Sequence, residues 1–232
     1  IPITSEVMPY MQAEAILRSK QQIAVRNCVC RQERELLDKG CGKPMETCLS
    51  FDGAARDTVK TGKGRMVSLE EALKILQKGQ KAGLVLQPAN SQNPIYMCMC
   101  CDCCCGVLRY IKEDPHPGSL VANPFIAEYD PAKCITCCDC VEICPMDALT
   151  EDGKDGIKFE PVRCIGCGLC VSVCPTGAVQ IVPKSTPDQP KIPKNTAITY
   201  LNIARSQGLG KVLVLLKMGF TTLISRFYKK AD

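Results

Sequence analysis

The sequence predicts an α+β protein in three parts, and three observations lead to this fold class. Residues 1–125 contain stretches with apolar residues at helical spacing, and two short apolar segments separated by a turn-rich loop. Residues 126–183 repeat one cysteine spacing twice among short β-branched segments. Residues 184–232 open with a proline-rich stretch and then return to helical spacing. We therefore expect a small helical domain with a β-hairpin and a knot of cysteines, a compact cysteine-repeat domain, and a helical tail.

The helices and the hairpin of the N-terminal domain are predicted from local patterns. Residues 8–21 and 31–39 are candidate helices, and a third helix opens at Ser68, where Ser-Leu-Glu-Glu forms a capping box. Residues 84–87 and 94–97 flank the turn-rich loop and predict the hairpin. A helix followed by a hairpin also ends a winged helix, so that fold is one option for this domain.

Two copies of one cysteine spacing dominate the middle part. Each copy has three cysteines three residues apart, a fourth cysteine four residues later, and a proline directly after it. Three thiolates at this spacing can bind three corners of one [4Fe-4S] cubane, while the fourth lies beyond a short turn and ligates the other cluster. The crossed ligand sets are Cys134, Cys137, Cys140 and Cys174 for cluster 1, and Cys164, Cys167, Cys170 and Cys144 for cluster 2. A zinc ribbon would require only CxxC pairs.

This duplicated segment resembles the bacterial two-cluster ferredoxin family. The resemblance implies a fold in which a short helix follows each cysteine triplet and packs against small hairpins. It also implies transfer of single low-potential electrons between two neighbouring clusters. Residues 125–129, 157–159 and 178–182 have the composition of short strands. The second copy has Gly168 after its middle cysteine where the first copy has Cys138, which we interpret as a buried spare thiol and not as a ligand.

Ten further cysteines lie upstream of the duplicated segment. They are Cys28, Cys30, Cys41, Cys48, Cys98, Cys100, Cys101, Cys103, Cys104 and Cys105. Because disulfides are rare in a reducing compartment, we interpret these thiols as metal ligands. Cysteines two residues apart on a strand share a side and adjacent ones diverge, which favours two sites that share one knot. One or two further [4Fe-4S] clusters are expected; a structural zinc and free or catalytic thiols are alternatives, and the spacing does not assign each cysteine.

The charge distribution and the cysteine content limit the partners and the compartment. The net charge of +5 is made up of about +3 in residues 1–126, −5 in residues 127–183 and +7 in residues 184–232. Each oxidised four-thiolate cluster adds about −2. Nucleic acid is therefore not expected as a partner, and a redox-sensing DNA-binding protein is the least favoured alternative. No signal peptide is visible, so we expect a cytoplasmic protein of an anaerobe or microaerophile.

The C-terminal tail predicts contact with another surface. A proline-rich connector extends from Pro183 to Pro193, and two candidate helices follow between residues 196 and 230. The second helix carries apolar residues at spacings of three and four, but its uninterrupted apolar stretch is far shorter than the ~20 residues that cross a bilayer. We therefore expect no transmembrane segment. Docking on a partner protein, peripheral contact with an anionic membrane, and packing on the N-terminal domain are the three interpretations.

Residues for other chemistry are few. The single histidine, His116, lies in a loop, and the glycines of residues 60–65 lack the strand and helix of a phosphate loop. No dinucleotide-binding fingerprint is present. We therefore assign no catalytic residue. The whole layout resembles the multi-cluster ferredoxin-type subunits that anaerobes attach to larger redox enzymes. This implies an electron-transfer subunit that exchanges single electrons with a catalytic redox subunit. One alternative is an open-site iron–sulfur enzyme subunit in which Arg31, Arg34 and Arg109 receive a small anionic substrate. Another is a cluster-delivery protein.

Overall fold

The computed structural model describes residues 5–153, 156–185, 190–195, 198–199 and 201–202. These residues form an α+β structure, as the sequence predicts. The helices are α1 (Tyr10–Ser19), α2 (Val29–Leu36), α3 (Asp52–Lys60), α4 (Leu69–Lys81), α5 (Gly106–Glu113), α6 (Asp139–Glu142) and α7 (Leu169–Val173). The strands are β1 (Ser5–Glu6), β2 (Ile23–Asn27), β3 (Glu46–Phe51), β4 (Arg65–Val67), β5 (Val85–Pro88), β6 (Tyr96–Cys100), β7 (Val121–Ala122), β8 (Phe125–Tyr129), β9 (Leu149–Glu151), β10 (Ile157–Phe159) and β11 (Val179–Pro183).

A five-stranded antiparallel sheet forms the centre of the N-terminal part, with the strand order β4-β2-β3-β6-β5. Side chains alternate between its two faces. Val25, Leu49 and Met97 are register partners on one face, and they are buried with apolar side chains of α1 and α4. Cys48 and Cys98 lie opposite each other on the other face. One face of the sheet therefore forms an apolar core, and the other face presents thiols.

The predicted helices and hairpin of the N-terminal part are present, but the sheet is larger than the sequence patterns indicate. The hydroxyl of Ser68 accepts a hydrogen bond from the Glu71 N–H at 3.1 Å and caps α4, as the capping box predicts. β5 and β6 form the hairpin. The winged-helix option is wrong, because the hairpin strands are two members of a five-stranded antiparallel sheet.

The middle part has two antiparallel ladders, and it confirms the three strands predicted there. β8 pairs with β11, and β9 pairs with β10. Six positions with positive φ form three pairs that lie thirty residues apart in the two copies. They are Thr136 with Gly166, Cys138 with Gly168, and Asp147 with Gly177. The fold thus imposes the same left-handed backbone on both copies, although only the second copy uses glycine, which adopts it without steric cost.

The N-terminal part and the second cysteine copy share one hydrophobic core. Ile165, Cys167 and Leu169 of the second copy are buried in the same cluster of side chains as the apolar face of the five-stranded sheet. The buried side chain of Asn123 donates hydrogen bonds of 2.8 Å to the backbone oxygens of Ile165 and Gly166. The loop that carries the second cysteine triplet is therefore held in place by residues outside the duplicated segment.

The end of the proline-rich connector and Thr199, which lies beyond it, contact the N-terminal part. The backbone N–H of Gln92 donates to the oxygen of Pro193 at 2.8 Å, and the hydroxyl of Thr199 donates to the oxygen of Asn90 at 2.6 Å. The two predicted tail helices lie outside the described residues, apart from residues 198–199 and 201–202. Within the described ranges, no helix is both long enough and apolar enough to span a bilayer.

Candidate iron–sulfur and metal sites

The second cysteine triplet lines a cavity together with Cys144 of the first copy. Cys164, Cys167 and Cys170 come from the loop before α7 and from its first turn, and the remaining walls of the cavity are mostly apolar. Burial raises the pKa of Cys167 to about 12, and the negative charges of Cys144 and Cys164 act in the same direction. Four thiols in such surroundings ionise together only when a metal centre compensates their charge. This donor set fits a [4Fe-4S] cluster.

The first triplet lies closer to the protein surface. Cys140 is buried, Cys134 and Cys174 are half-buried, and Cys137 is exposed. Burial raises the pKa of Cys140 to about 11, and the charges of Cys134, Cys137 and Cys174 contribute to the shift. The structure thus brings Cys174 to the first triplet and Cys144 to the second, which is the arrangement that crossed ligand sets require.

Backbone N–H groups are directed at the first cysteine of each triplet. Thr136 donates to Cys134 Sγ and Gly166 donates to Cys164 Sγ, both at 3.4 Å. A Cβ atom on Gly166 would lie 2.3 Å from the Phe125 oxygen, so this position requires glycine. Such bonds stabilise thiolate charge, and they are one determinant of the reduction potential of a bound cluster. Both loops therefore have their N–H donors in position for ligation.

Cys138 differs from the interpretation made from sequence. It has a φ of 63° at the N-cap of α6, and its thiol donates to the Thr136 oxygen at 3.6 Å. The expectation that it is buried is wrong: the side chain is half-buried, because α6 begins at the surface, where Cys137 and Asp139 are exposed.

The ten upstream thiols fall into two groups, and the first group surrounds a single point. We call it the turn quartet: Cys41, Cys101, Cys103 and Cys104, whose Sγ atoms all lie within 4.8 Å of one another. Cys41 belongs to the loop after α2, and the other three belong to the turn between β6 and α5. The sulfur atoms of Cys41 and Cys101 are 4.0 Å apart, and those of Cys103 and Cys104 are 3.7 Å apart.

The second group, which we call the sheet group, lies on the thiol face of the five-stranded sheet. It consists of Cys28, Cys30, Cys48, Cys98, Cys100 and Cys105. Cys28 and Cys105 are the N-cap residues of α2 and α5, so the partial positive charges of two helix N-termini lie beside the thiols. Hydrogen bonds with Cys100 lower the pKa of Cys98 to about 4 and that of Cys105 to about 6.

Further contacts join the remaining thiols to the sheet group. The hydrogen bond with Cys48 raises the pKa of Cys28, while burial and the charge of Cys105 raise that of Cys30. Two of the three adjacent pairs, Cys100 with Cys101 and Cys104 with Cys105, have one member in the turn quartet and one in the sheet group, whereas Cys103 and Cys104 both belong to the turn quartet. Contacts from one thiol to the next thus join six soft donors, and such a set can bind a metal centre, because metal binding converts thiols to thiolates and releases the protons.

A buried cation, Arg31, lies between the two thiol groups. It is 2% exposed, and its Nη1 donates to Cys101 Sγ at 3.6 Å, while Nη2 donates to the Met99 oxygen at 3.1 Å and to the Thr47 hydroxyl. Burial lowers the pKa of Arg31, but the hydrogen bond with Cys101 and the charges of nearby thiols raise it to a net value above the usual one. Arg31 is therefore bound to groups of the protein itself. It does not receive a substrate anion, which is the role that the enzyme alternative gives it.

Tyr10 connects the sheet group with the cavity of cluster 2. Its hydroxyl donates to the Leu84 oxygen at 2.6 Å. Burial raises the pKa of Tyr10, and the negative charges of Cys167 and Cys100 raise it further. One buried phenol is thus close to a thiol of each region. Sequence reasoning missed this link, because Tyr10 lies at the start of an ordinary amphipathic helix and far from any cysteine in the chain.

A comparison with known families assigns the class of the middle part. Residues 133–178 match the family model described as the 4Fe-4S dicluster domain. Together with the arrangement of its cysteines, this match shows that the segment is a 4Fe-4S ferredoxin-like domain, which binds [4Fe-4S] clusters and has a role in iron–sulfur electron transfer. A search of the curated proteins finds no match to the chain.

Proposed function

We propose that the chain is an electron-transfer subunit in which single electrons pass between an N-terminal cluster, cluster 2 and cluster 1, and from there to or from a catalytic redox partner. The crossed ligand sets hold the two ferredoxin clusters, and four of the six thiols in the sheet group hold a third [4Fe-4S] cluster. The observation that carries the proposal is the position of Tyr10, which is buried close to both Cys100 and Cys167. The N-terminal thiols therefore belong to the same core as cluster 2.

The exposure of the cysteines supports an order for the relay. Cluster 2 has three buried ligands and lies against the N-terminal part, whereas cluster 1 has the exposed Cys137. Beside it, Ile135 is 63% exposed. Cluster 1 is thus the natural point of exchange with a partner. Since residues 127–183 carry a net charge of −5, a partner with a basic contact surface is favoured. All nineteen cysteines are unpaired, which supports a reducing compartment such as the cytoplasm of an anaerobe.

The first test counts iron and acid-labile sulfide in the anaerobically purified full chain. With four irons per cubane, we expect about twelve irons per chain and a reduced-state electron paramagnetic resonance spectrum broadened by coupling between neighbouring clusters. Cys100→Ser should remove about four irons and leave the signals of the ferredoxin-like domain. Cys138→Ser, which changes a thiol outside every proposed ligand set, should keep all of them. About eight irons in the wild type would contradict the third cluster.

A further inference from the structure

The turn quartet has the dimensions of a site for a single ion. We propose that Cys41, Cys101, Cys103 and Cys104 bind one Zn²⁺ as a closed tetrathiolate site, in place of a fourth cubane. Such a site has four protein ligands and no open position, so it stabilises structure and takes no part in electron transfer. The inference does not depend on the proposed relay.

The sulfur–sulfur distances favour one ion over a cluster. Zinc–thiolate bonds of about 2.3 Å place the corners of a regular tetrahedron about 3.8 Å apart. Two of the six sulfur–sulfur separations in the turn quartet are 4.0 Å and 3.7 Å, and no pair of the four atoms exceeds 4.8 Å. In a cubane, each thiolate binds a different iron at a separate corner, which holds the four sulfurs farther apart.

The ferredoxin-like domain provides an internal reference for this comparison. Its eight predicted ligands all lie in the described ranges. Even so, among the residues that the structure describes, the turn quartet is the only group of three or more candidate ligands whose donor atoms all lie within 4.8 Å. The same fold therefore spaces the sulfurs of the two cubane sites more widely than those of the turn quartet.

The local chain explains why the quartet is so compact. Three of its members belong to four consecutive residues, 101–104, and the backbone N–H of Cys105 closes the turn on the Cys101 oxygen at 3.0 Å. Lys112 of α5 holds the turn through an ion pair of 2.9 Å with Asp102. A turn this short brings thiols to one point and leaves little room for a cubane between them.

The charge of Arg31 is a second and independent observation. A fully buried guanidinium requires a negative partner. In the described part of the chain the hydrogen-bond partners of its side chain are Cys101, Thr47 and the Met99 oxygen, and none of these is a carboxylate. Four neutral thiols would supply no negative charge, whereas Zn²⁺ with four thiolates carries a net charge of −2. A metal centre in the quartet thus places negative charge at the thiol to which Arg31 donates, and the sulfur–sulfur distances identify that centre as a single ion.

The position of the quartet gives the zinc a structural role. Cys100 and Cys105 of the sheet group flank the turn directly, and Cys41 lies in the loop after α2, the helix whose N-cap is Cys28. An ion in the quartet therefore joins this loop to the turn between β6 and α5. This contact holds the elements that present the sheet group.

The test is metal analysis of the full chain, purified anaerobically from cells supplied with both iron and zinc. We expect one zinc per chain beside the iron, and X-ray absorption at the zinc edge with four sulfur ligands at about 2.3 Å. Cys103→Ser replaces the exposed ligand and should weaken zinc retention against a chelator at least tenfold without changing the iron content. Cys138→Ser is the matched control and should leave both metals unchanged.

Three results would overturn the assignment: wild-type protein without zinc and with about sixteen irons, loss of about four irons in Cys103→Ser, or one tetrahedral iron in place of zinc. If Cys103→Ser does not fold, the zinc-edge spectrum of the wild type decides the question alone. About eight irons together with one zinc would contradict the third cluster of the relay and would support the zinc site.

Discussion

Replacement of Cys138 by glycine should stabilise the protein. Cys138 has a φ of 63°, and its equivalent in the second copy is Gly168 with a φ of 74°. A left-handed backbone costs a residue with a Cβ about 1–2 kcal/mol. Glycine avoids this cost, but it has more conformational entropy to lose on folding, about 0.5–1 kcal/mol. The thiol of Cys138 contributes only one weak hydrogen bond, at 3.6 Å. We therefore expect a net gain of about 0.5–1 kcal/mol in the free energy of unfolding.

The assay is thermal unfolding of the cluster-loaded protein without oxygen, followed by far-ultraviolet circular dichroism and by the visible absorbance of the clusters. Because unfolding releases the clusters, wild type and variant are compared at one scan rate. A gain of this size should raise the midpoint by about 1–4 °C in a chain of this length. Iron content should be unchanged, since Cys138 lies outside the crossed ligand sets.

Gly168→Ala is the matched control with the opposite sign. A Cβ at this position would lie 3.5 Å from the Cβ of Pro9, which is an ordinary contact, so the cost comes from the backbone. We expect a loss of about 1 kcal/mol. A Cys138→Gly variant that melts at or below the wild-type midpoint would refute the strain argument. Loss of about four irons would show instead that Cys138 is a ligand.

Two further predictions concern buried charges. Burial raises the pKa of Glu6 from 4.5 to about 8, so the folded state holds the proton more tightly than the unfolded state. The thermal midpoint should therefore fall as the pH rises from about 5 to about 8, and Glu6→Gln should flatten this decline. Parallel pH profiles of the midpoint in wild type and variant would contradict this prediction. Arg31→Leu should destabilise the loaded protein by about 3 kcal/mol or more in denaturant and accelerate zinc loss to a chelator, because it leaves a thiolate centre without its cation. The exposed Arg109→Leu should do neither.

The sequence predicted those features whose signal is local. The duplicated cysteine spacing indicated the ferredoxin-like domain, and the capping box at Ser68 indicated the start of α4. The strand β3 was not predicted, because five of its six residues are buried and its sequence, Glu-Thr-Cys-Leu-Ser-Phe, does not alternate. Helix α5 was not predicted either, because it directly follows a run of cysteines in which no helical spacing of apolar residues is visible.

The division of the upstream thiols into four and six depends on tertiary structure. Spacing indicated that adjacent cysteines diverge, which the structure confirms for Cys100 with Cys101 and for Cys104 with Cys105. It is wrong for Cys103 and Cys104, because the turn brings both thiols into the quartet. Spacing could not show that Cys41 meets the turn at residues 101–104, because the two segments are joined only by the folding of the sheet between them. The role of Arg31 was missed for the same reason: its neighbour Cys30 is in the sheet group, whereas the thiol that it contacts, Cys101, is in the other group.

The contacts around the second cysteine triplet give the two ferredoxin clusters different vulnerability. Three of the four proposed ligands of cluster 2 are buried, and Asn123 and the shared hydrophobic core hold the loop that carries Cys167, so an oxidant has less access to cluster 2. Cys137, a proposed ligand of cluster 1, is exposed. Damage by oxygen should therefore proceed inward from cluster 1. The first stage of that damage leaves the buried part of the protein assembled and open to repair by the delivery of one new cluster.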